Sequence, residues 1–275
     1  MPTGKALIDE IDTAEVIPGQ VAFWWLGQHS FAVKTSDHII YLDPFLSPSD
    51  ARLVPSLLAP DEVNNAELVT GSHDHGDHID RKALPGIMQA SRDSRLIAPL
   101  PAREPLEKLN LNLQRVHFMD DEDVLNVNGM RITAIKAAHE LLSTDDSGHH
   151  EYLSFVIQTD GVTIYHAGDT CMYEGMASRL KRFGITVAFL PINGRDAERL
   201  RRNCIGNMTY QEAADLAGIL KPRMTIPAHY EMFKGNQEDP QKFTDYMDVK
   251  YPDLPYWVGE HGTMVKVLHR FRRGI

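Results

Sequence analysis

Apolar residues fall in short runs punctuated by turn residues, the pattern of a strand-rich chain with intervening helices. Residues 21–26 are apolar and aromatic, 31–34 alternate, and 39–42 stop at Asp43-Pro44, so three early strands are predicted. A short apolar piece at 66–70 precedes an amphipathic stretch from 79 to about 90, read as a strand feeding a helix, and 95–98 reads as a buried strand. The second half repeats the scheme. Residues 131–136 alternate, 152–158 and 162–165 flank Asp160-Gly161 as a hairpin, and 185–190 run unbroken as a strand covered on both faces. Thr209-Tyr210-Gln211-Glu212 has the form of a capping box and predicts a helix to Leu220, followed by strands at 223–227 and 263–268.

Polar, metal-capable residues gather where these strands end. Asp43, His139, Asp169 and His229 each close or follow one, and the strand at 66–70 leads into His73-Asp74-His75-Gly76-Asp77-His78. Within those six residues His73, His75, Asp77 and His78 offer imidazole nitrogens and a carboxylate, a donor set suited to zinc or a similar divalent ion. In an extended stretch His73 and His75 would point the same way. A turn at Asp77-His78 would then set a second cluster beside the first, which suggests two metals. One histidine at a strand end is ordinarily structural or exposed. Five such sites on one edge of a sheet can converge despite their separation in sequence.

The 275 residues, 43% hydrophobic and 24% charged, contain no low-complexity block or linker and predict one globular domain over 1–275. A net charge of −10 argues against a nucleic-acid partner, and bound divalent ions would offset part of it. Two basic clusters stand out, Arg195, Arg199, Arg201 and Arg202, and the run 269–273; the second reads as a solvated face. Cys171 and Cys204 are too few for a disulfide scaffold. Residues 1–20 lack a signal-peptide pattern, and no stretch approaches the 18 apolar residues of a membrane span. A cytoplasmic protein with no membrane partner is expected.

In order and spacing, Asp43, His73-x-His75-x-Asp77-His78, His139, Asp169 and His229 resemble the five motifs of the metallo-β-lactamase superfamily. The resemblance spans nearly the whole chain. It implies an α/β fold, a four-layer αβ/βα sandwich, with a dinuclear site in a cleft at one edge. Carried over residue by residue, one metal would take His73, His75 and His139, the other Asp77, His78 and His229, and Asp169 would bridge them. Class B β-lactamases often carry a Cys where this chain has Asp169, and flavodiiron proteins a Glu at the position of His75. A narrower set, Trp24-Trp25-Leu26-Gly27, Ser72 to Asp80, Tyr165 to Thr170 and Ile226-Pro227-Ala228-His229, is similar to the L-ascorbate-6-phosphate lactonase group. That group implies a cytosolic homo-oligomer that opens a phosphorylated sugar lactone. It leans towards manganese, the superfamily as a whole towards zinc.

Two divalent ions roughly 3.5–4 Å apart share a water, lower its pKa towards about 7 and polarise the substrate carbonyl. Asp77 is the candidate to orient that nucleophile and shuttle its proton. Asp43, before Pro44, would accept the N–H of a ligating histidine, or simply form a turn. Arg195 and Arg199 would hold the anionic group of a small substrate, or else pair with Asp196 and Glu198 on a surface loop. His29 either rims the site or fills a loop; His149 and His150 lie in a lid-like loop with no metal spacing; Cys171 reads as a packed thiol. The expected activity is hydrolysis of a small anionic ester such as L-ascorbate 6-phosphate. A phosphodiesterase resembling phospholipase D and a non-catalytic metal-binding protein are the alternatives.

Overall fold

Strand β1 (Gln20–Gly27) is buried along its length because it serves two cores at once. Val21, Phe23 and Trp25 face a second sheet, whereas Ala22, Trp24 and Leu26 face a helical layer. That is the period-two alternation of a strand covered on both sides. The computed structural model describes residues 1–269 and repeats this arrangement across two sheets.

The first sheet adds β2 (Ser30–Lys34), β3 (Ile39–Leu42), β4 (Leu68–Thr70), β5 (Arg95–Pro99), β6 (Val116–Met119) and β15 (Met264–Leu268). Its order is β15-β1-β2-β3-β4-β5-β6, antiparallel as far as β3 and parallel from β3 to β6. The second comprises β7 (Val124–Val127), β8 (Met130–Lys136), β11 (Leu153–Thr159), β12 (Val162–His166), β13 (Val187–Pro191) and β14 (Met224–Ala228), in the order β14-β13-β12-β11-β8-β7. Two-residue strands β9 (Ala138–His139) and β10 (Leu141–Leu142) form a small ribbon beside it.

Helices cover both outer faces. Leu7, Ile8 and Ile11 of α1 (Gly4–Thr13), Leu84, Ile87 and Met88 of α2 (Leu84–Ala90) and Leu106 of α3 (Arg103–Glu107) pack against the first sheet. Met176 and Leu180 of α4 (Met176–Lys181) lie on the second sheet. Beyond the short surface helix α5 (Ala197–Arg201), that sheet is also covered by α6 (Tyr210–Leu220) and α7 (Pro240–Lys250). The result is the expected four-layer sandwich.

Local signals act as read. Asp160 and Gly161 take φ of +49° and +77°, the two left-handed residues of a type I′ hairpin joining β11 to β12. The Thr209 side chain accepts the Glu212 N–H at 3.3 Å while Glu212 accepts the Thr209 N–H at 3.0 Å. The stretch from 79 is a correction. The helix begins only at Leu84, because the buried Asp80 carboxylate accepts the N–H groups of Leu46, Ser47, Lys82 and Ala83 and holds 79–83 as a turn. Of the C-terminal basic run only His269 is described; 270–273 lie outside the described residues. Among the described residues no helix is long and apolar enough to cross a membrane.

Candidate metal centre

After β4 the chain bends rather than extends. The N–H of His75 donates to the His73 carbonyl at 2.9 Å, and those of His78 and Ile79 donate to the His75 carbonyl at 3.0 and 2.8 Å. His73 and His75 therefore meet through a tight turn and not through strand alternation, which corrects the expected geometry. Nε2 of His73 and Nδ1 of His75 stand 2.9 Å apart.

The second sheet brings the remaining groups. His139, on β9, is anchored by Nδ1 to the Gly206 carbonyl at 2.9 Å, which leaves Nε2 at 3.6 Å from Asp169 Oδ2. Asp169 is carried past β12 by Gly168, whose φ is +58°; a Cβ there would lie 2.8 Å from Ser72 Cβ and 2.9 Å from the Leu153 carbonyl. His229 follows β14, with Nε2 at 3.1 Å from Asp169 Oδ2 and 3.6 Å from Asp77 Oδ2. His78 Nε2 lies 3.3 Å from Asp169 Oδ1 and 3.6 Å from Asp77 Oδ2. His73, His75 and His139 thus form one group able to hold an ion, and Asp77, His78 and His229 a second. Asp169 stands between them.

Asp43 lies underneath, fully buried. Its carboxylate accepts Thr70 Oγ1 at 2.9 Å, the Ser72 N–H at 3.1 Å, the Ser72 hydroxyl, and Nδ1 of His78 at 2.8 Å. That contact turns Nε2 of His78 towards Asp169. His29 is more than loop filler at a rim: it is fully buried, with Nδ1 3.9 Å from Asp169 Oδ1 and its ring 4.3 Å from that of His166.

The donor set fits a divalent metal. His78 Nε2 and Asp169 Oδ1 are buried without a hydrogen-bond partner, although a buried polar atom left unpaired is costly. Donors on bonds of about 2.1 Å around a tetrahedral ion stand roughly 3.4 Å apart; the contacts above run from 3.1 to 3.6 Å. Burial holds His73, His75 and His139 below the usual histidine range, so each keeps a lone pair at neutral pH. Burial also opposes charge on His78 and His229. The carboxylates of Asp169 and Asp77 outweigh it there, raising His78 well above its ordinary value and His229 to about 9. Despite the same burial, those imidazoles hold Asp77 and Asp169 far below the carboxylate range.

A cleft of about 230 Å³ opens onto the centre, lined by His75, Asp77, His139, Asp169 and His229 together with Asn203, Cys204, Ile205, Phe233 and Asn236. Neither arginine picked from the sequence lines it. Arg195 is paired with both carboxylate oxygens of Glu212 at 2.6 and 2.8 Å. Arg199 binds Asp196, the Gln237 carbonyl at 2.6 Å and Asn236 Oδ1 at 3.3 Å, so it stands one residue behind the cleft wall. His149 and His150 are tied to Asp145 and Asp120. Cys171 is buried, its thiol 3.6 Å from the Gly206 carbonyl. Two contributors carried no sequence signal: Tyr152, whose ring lies 5.2–6.1 Å from those of His73, His75 and His139, and Gln28, beside Asp77 and His229.

Residues 38–230, a span that includes every one of these candidate ligands, match the family described as the β-lactamase superfamily domain. The chain belongs to the metallo-β-lactamase superfamily. Within it, a UPF0173 metal-dependent hydrolase of Thermococcus kodakarensis is 30% identical over 224 residues, covering 80% of this chain and 88% of that protein. Another, from Caldivirga maquilingensis, is 25% identical over 249 residues, covering 88% and 96%. This superfamily member is therefore also one of the UPF0173 metal-dependent hydrolases. Among solved structures, Igni18, a metallo hydrolase of the archaeon Ignicoccus hospitalis, shares the fold with a TM-score of 0.69 at 24% identity, over 90% of this chain and 98% of its own. An isothiocyanate hydrolase from Delia radicum gut bacteria does so with a TM-score of 0.70 at 14% identity, over 90% and 99%.

Proposed function

We propose that this chain is a dinuclear metal-dependent hydrolase of a small anionic ester, with a lactone of a phosphorylated sugar acid such as L-ascorbate 6-phosphate as its substrate. One observation carries the reading: the two donor clusters share a single small cleft whose floor is the carboxylate of Asp169. At about 230 Å³ the cleft suits a compact molecule rather than a polymer. Asn203 and Asn236 line it with neutral carboxamides, which suit the hydroxyls of a sugar acid, and Arg199 behind Asn236 suits a phosphate lying at the rim.

His73, His75 and His139 would hold one ion, Asp77, His78 and His229 the other, and Asp169 would reach both. Two divalent ions, zinc or manganese, supply Lewis acidity that activates water near neutral pH and polarises the ester carbonyl. The chain's own residues do the rest. Asp77 faces the cleft and remains ionised beside His78 and His229, so it orients the attacking water and passes its proton on to the leaving alkoxide. Asp43 fixes the tautomer of His78. The ring of Tyr152 packs against three histidines and shields that cluster from water.

The test is hydrolysis of L-ascorbate 6-phosphate by metal-stripped protein resupplied in turn with Mn²⁺ and Zn²⁺, with His73→Ala alongside, in ¹⁸O water. Metal-dependent ring opening that disappears in the variant and places the label in the new carboxylate is expected. Label in released phosphate would mean a phosphoester hydrolase instead, and no lactone opening with either ion would overturn the substrate.

A further inference from the structure

Gln28 lies outside the span matched by the superfamily domain, and no motif marks it. It is nonetheless held as tightly as any residue of the centre. It is 1% exposed and has φ +54°, a left-handed conformation that residues other than Gly, Asn and Asp seldom adopt. Three hydrogen bonds impose it. The Gln28 N–H donates to Glu231 Oε1 at 2.6 Å, and the Gln28 carbonyl accepts Trp25 Nε1 at 3.0 Å and the His229 N–H at 3.1 Å. The outcome is a carboxamide aimed at the second cluster, with Nε2 at 2.7 Å from Asp77 Oδ2 and 2.9 Å from His229 Nε2.

Those two atoms are the ones that Asp77 and His229 would offer a metal. We propose that Gln28 is itself a ligand of the second ion, giving its carboxamide oxygen to the metal held by Asp77, His78 and His229. The inference rests on the dinuclear reading above. Two observations support it. Rotating the terminal amide exchanges its oxygen and nitrogen without moving the rest of the side chain. A cation among Asp77, His78 and His229 would repel the N–H end and attract the oxygen. Moreover, neighbouring ligands of an octahedral ion with bonds of about 2.1 Å lie roughly 3.0 Å apart. The carboxamide atom nearest the cluster meets that spacing, at 2.7 and 2.9 Å from its two neighbours. Gln28 thus lifts the donor count at the second position above the four of a tetrahedral site. An amide oxygen added to carboxylates and imidazoles favours an ion that accepts octahedral oxygen-rich coordination, manganese above zinc.

The test measures binding and not turnover. Metal-free wild type, Gln28→Ala and Gln28→Glu are titrated with Mn²⁺, free ion being read by electron paramagnetic resonance, and Zn²⁺ is followed by competition with a chromophoric chelator. Wild type should take up two Mn²⁺ ions. Gln28→Ala should retain the first with unchanged affinity and lose at least tenfold at the second, with a smaller loss for Zn²⁺. Gln28→Glu, whose carboxylate oxygen reaches the same point, should restore the second Mn²⁺. The thermal midpoints of the metal-free proteins establish that each variant is folded. Unchanged or tighter second-site binding by Gln28→Ala would overturn the proposal, since the amide would then be a bystander or a competitor. A wild type that binds a single ion would instead bring down the dinuclear reading, and this inference with it.

Discussion

Oδ2 of Asp43 stands 2.8 Å from Nδ1 of His78, and neither side chain is exposed to solvent. The carboxylate does two things there: it fixes which nitrogen of His78 faces the centre, and it collects the hydroxyls of Thr70 and Ser72. Burial raises the carboxyl pKa of Asp43, but His166 and His78 outweigh it and bring the group to about 2. Replacing Asp43 by Ala removes an acceptor that these donors need. Metal affinity at the Asp77–His78–His229 cluster should fall about 10–100-fold. The metal-free protein should lose about 3–5 kcal/mol, as when one partner of a buried pair is deleted. Chelator competition and urea unfolding measure the two effects.

Gly168→Ala should damage the centre without touching a donor. At φ +58° any side chain is strained, and a Cβ would lie 2.8 Å from Ser72 Cβ, so either Asp169 or Ser72 must shift. Weaker binding of both ions is expected, because Asp169 stands between the clusters, together with a stability loss of about 1–3 kcal/mol. Binding stoichiometry and a thermal melt report it.

The two clusters should respond differently to pH. His229 has its pKa raised from 6.5 to about 9 in the folded, metal-free chain, so its pairing with Asp169 and Asp77 stabilises fully below 6.5 and is lost as the pH rises towards about 9. Asp77 is depressed below 3.8, so its contribution is present above that value and lost as the pH falls. The metal-free protein should therefore melt highest between about pH 4 and 6.5 and progressively lower up to about pH 9. Metal binding must expel the protons from His78 and His229. Affinity at that cluster should climb with pH through the same window, while binding by the already neutral His73, His75 and His139 stays nearly flat above 6.5. Calorimetric titrations in buffers of different pH separate the two ions.

Arg199→Ala should change substrate use and leave metal content alone. The guanidinium ties Asp196 to Gln237 and Asn236, joining two loops that wall the cleft. A several-fold rise in KM for the phosphorylated lactone, with two ions still bound, is expected. An unchanged KM would remove Arg199 from substrate recognition.

Much of this centre was legible because its donors are chemically distinctive and sit where apolar runs stop. Asp43, His139, Asp169 and His229 each stand out against the strand before them, and Asp160-Gly161 has little choice but a hairpin. The details that escaped depend on distant partners. Gln28 has no motif; its left-handed backbone is set by Glu231, 203 residues away in sequence. The stretch from 79 has helical periodicity, yet the buried Asp80 captures the N–H groups that would begin the helix. Helix α7 was announced only by Asp239-Pro240, a cap and a first-turn proline, while edge strand β7 is half exposed and resembles surface loop. The pairing of Arg195 with Glu212 joins residues whose proximity only the folded chain reveals.

The order of the donors along the chain also gives the centre a history. Counting from the N-terminus, the histidine triad is complete at residue 139 of 275, whereas the other cluster lacks a member until His229. A ribosome making this protein releases the first set of donors well before the second. Asp169, the group shared by both, emerges between the two. Strand β15, which closes the first sheet against β1, comes last of all. Assembly of the centre is thus staged by translation: an ion captured early finds three histidines, and its neighbour must wait until synthesis is almost over.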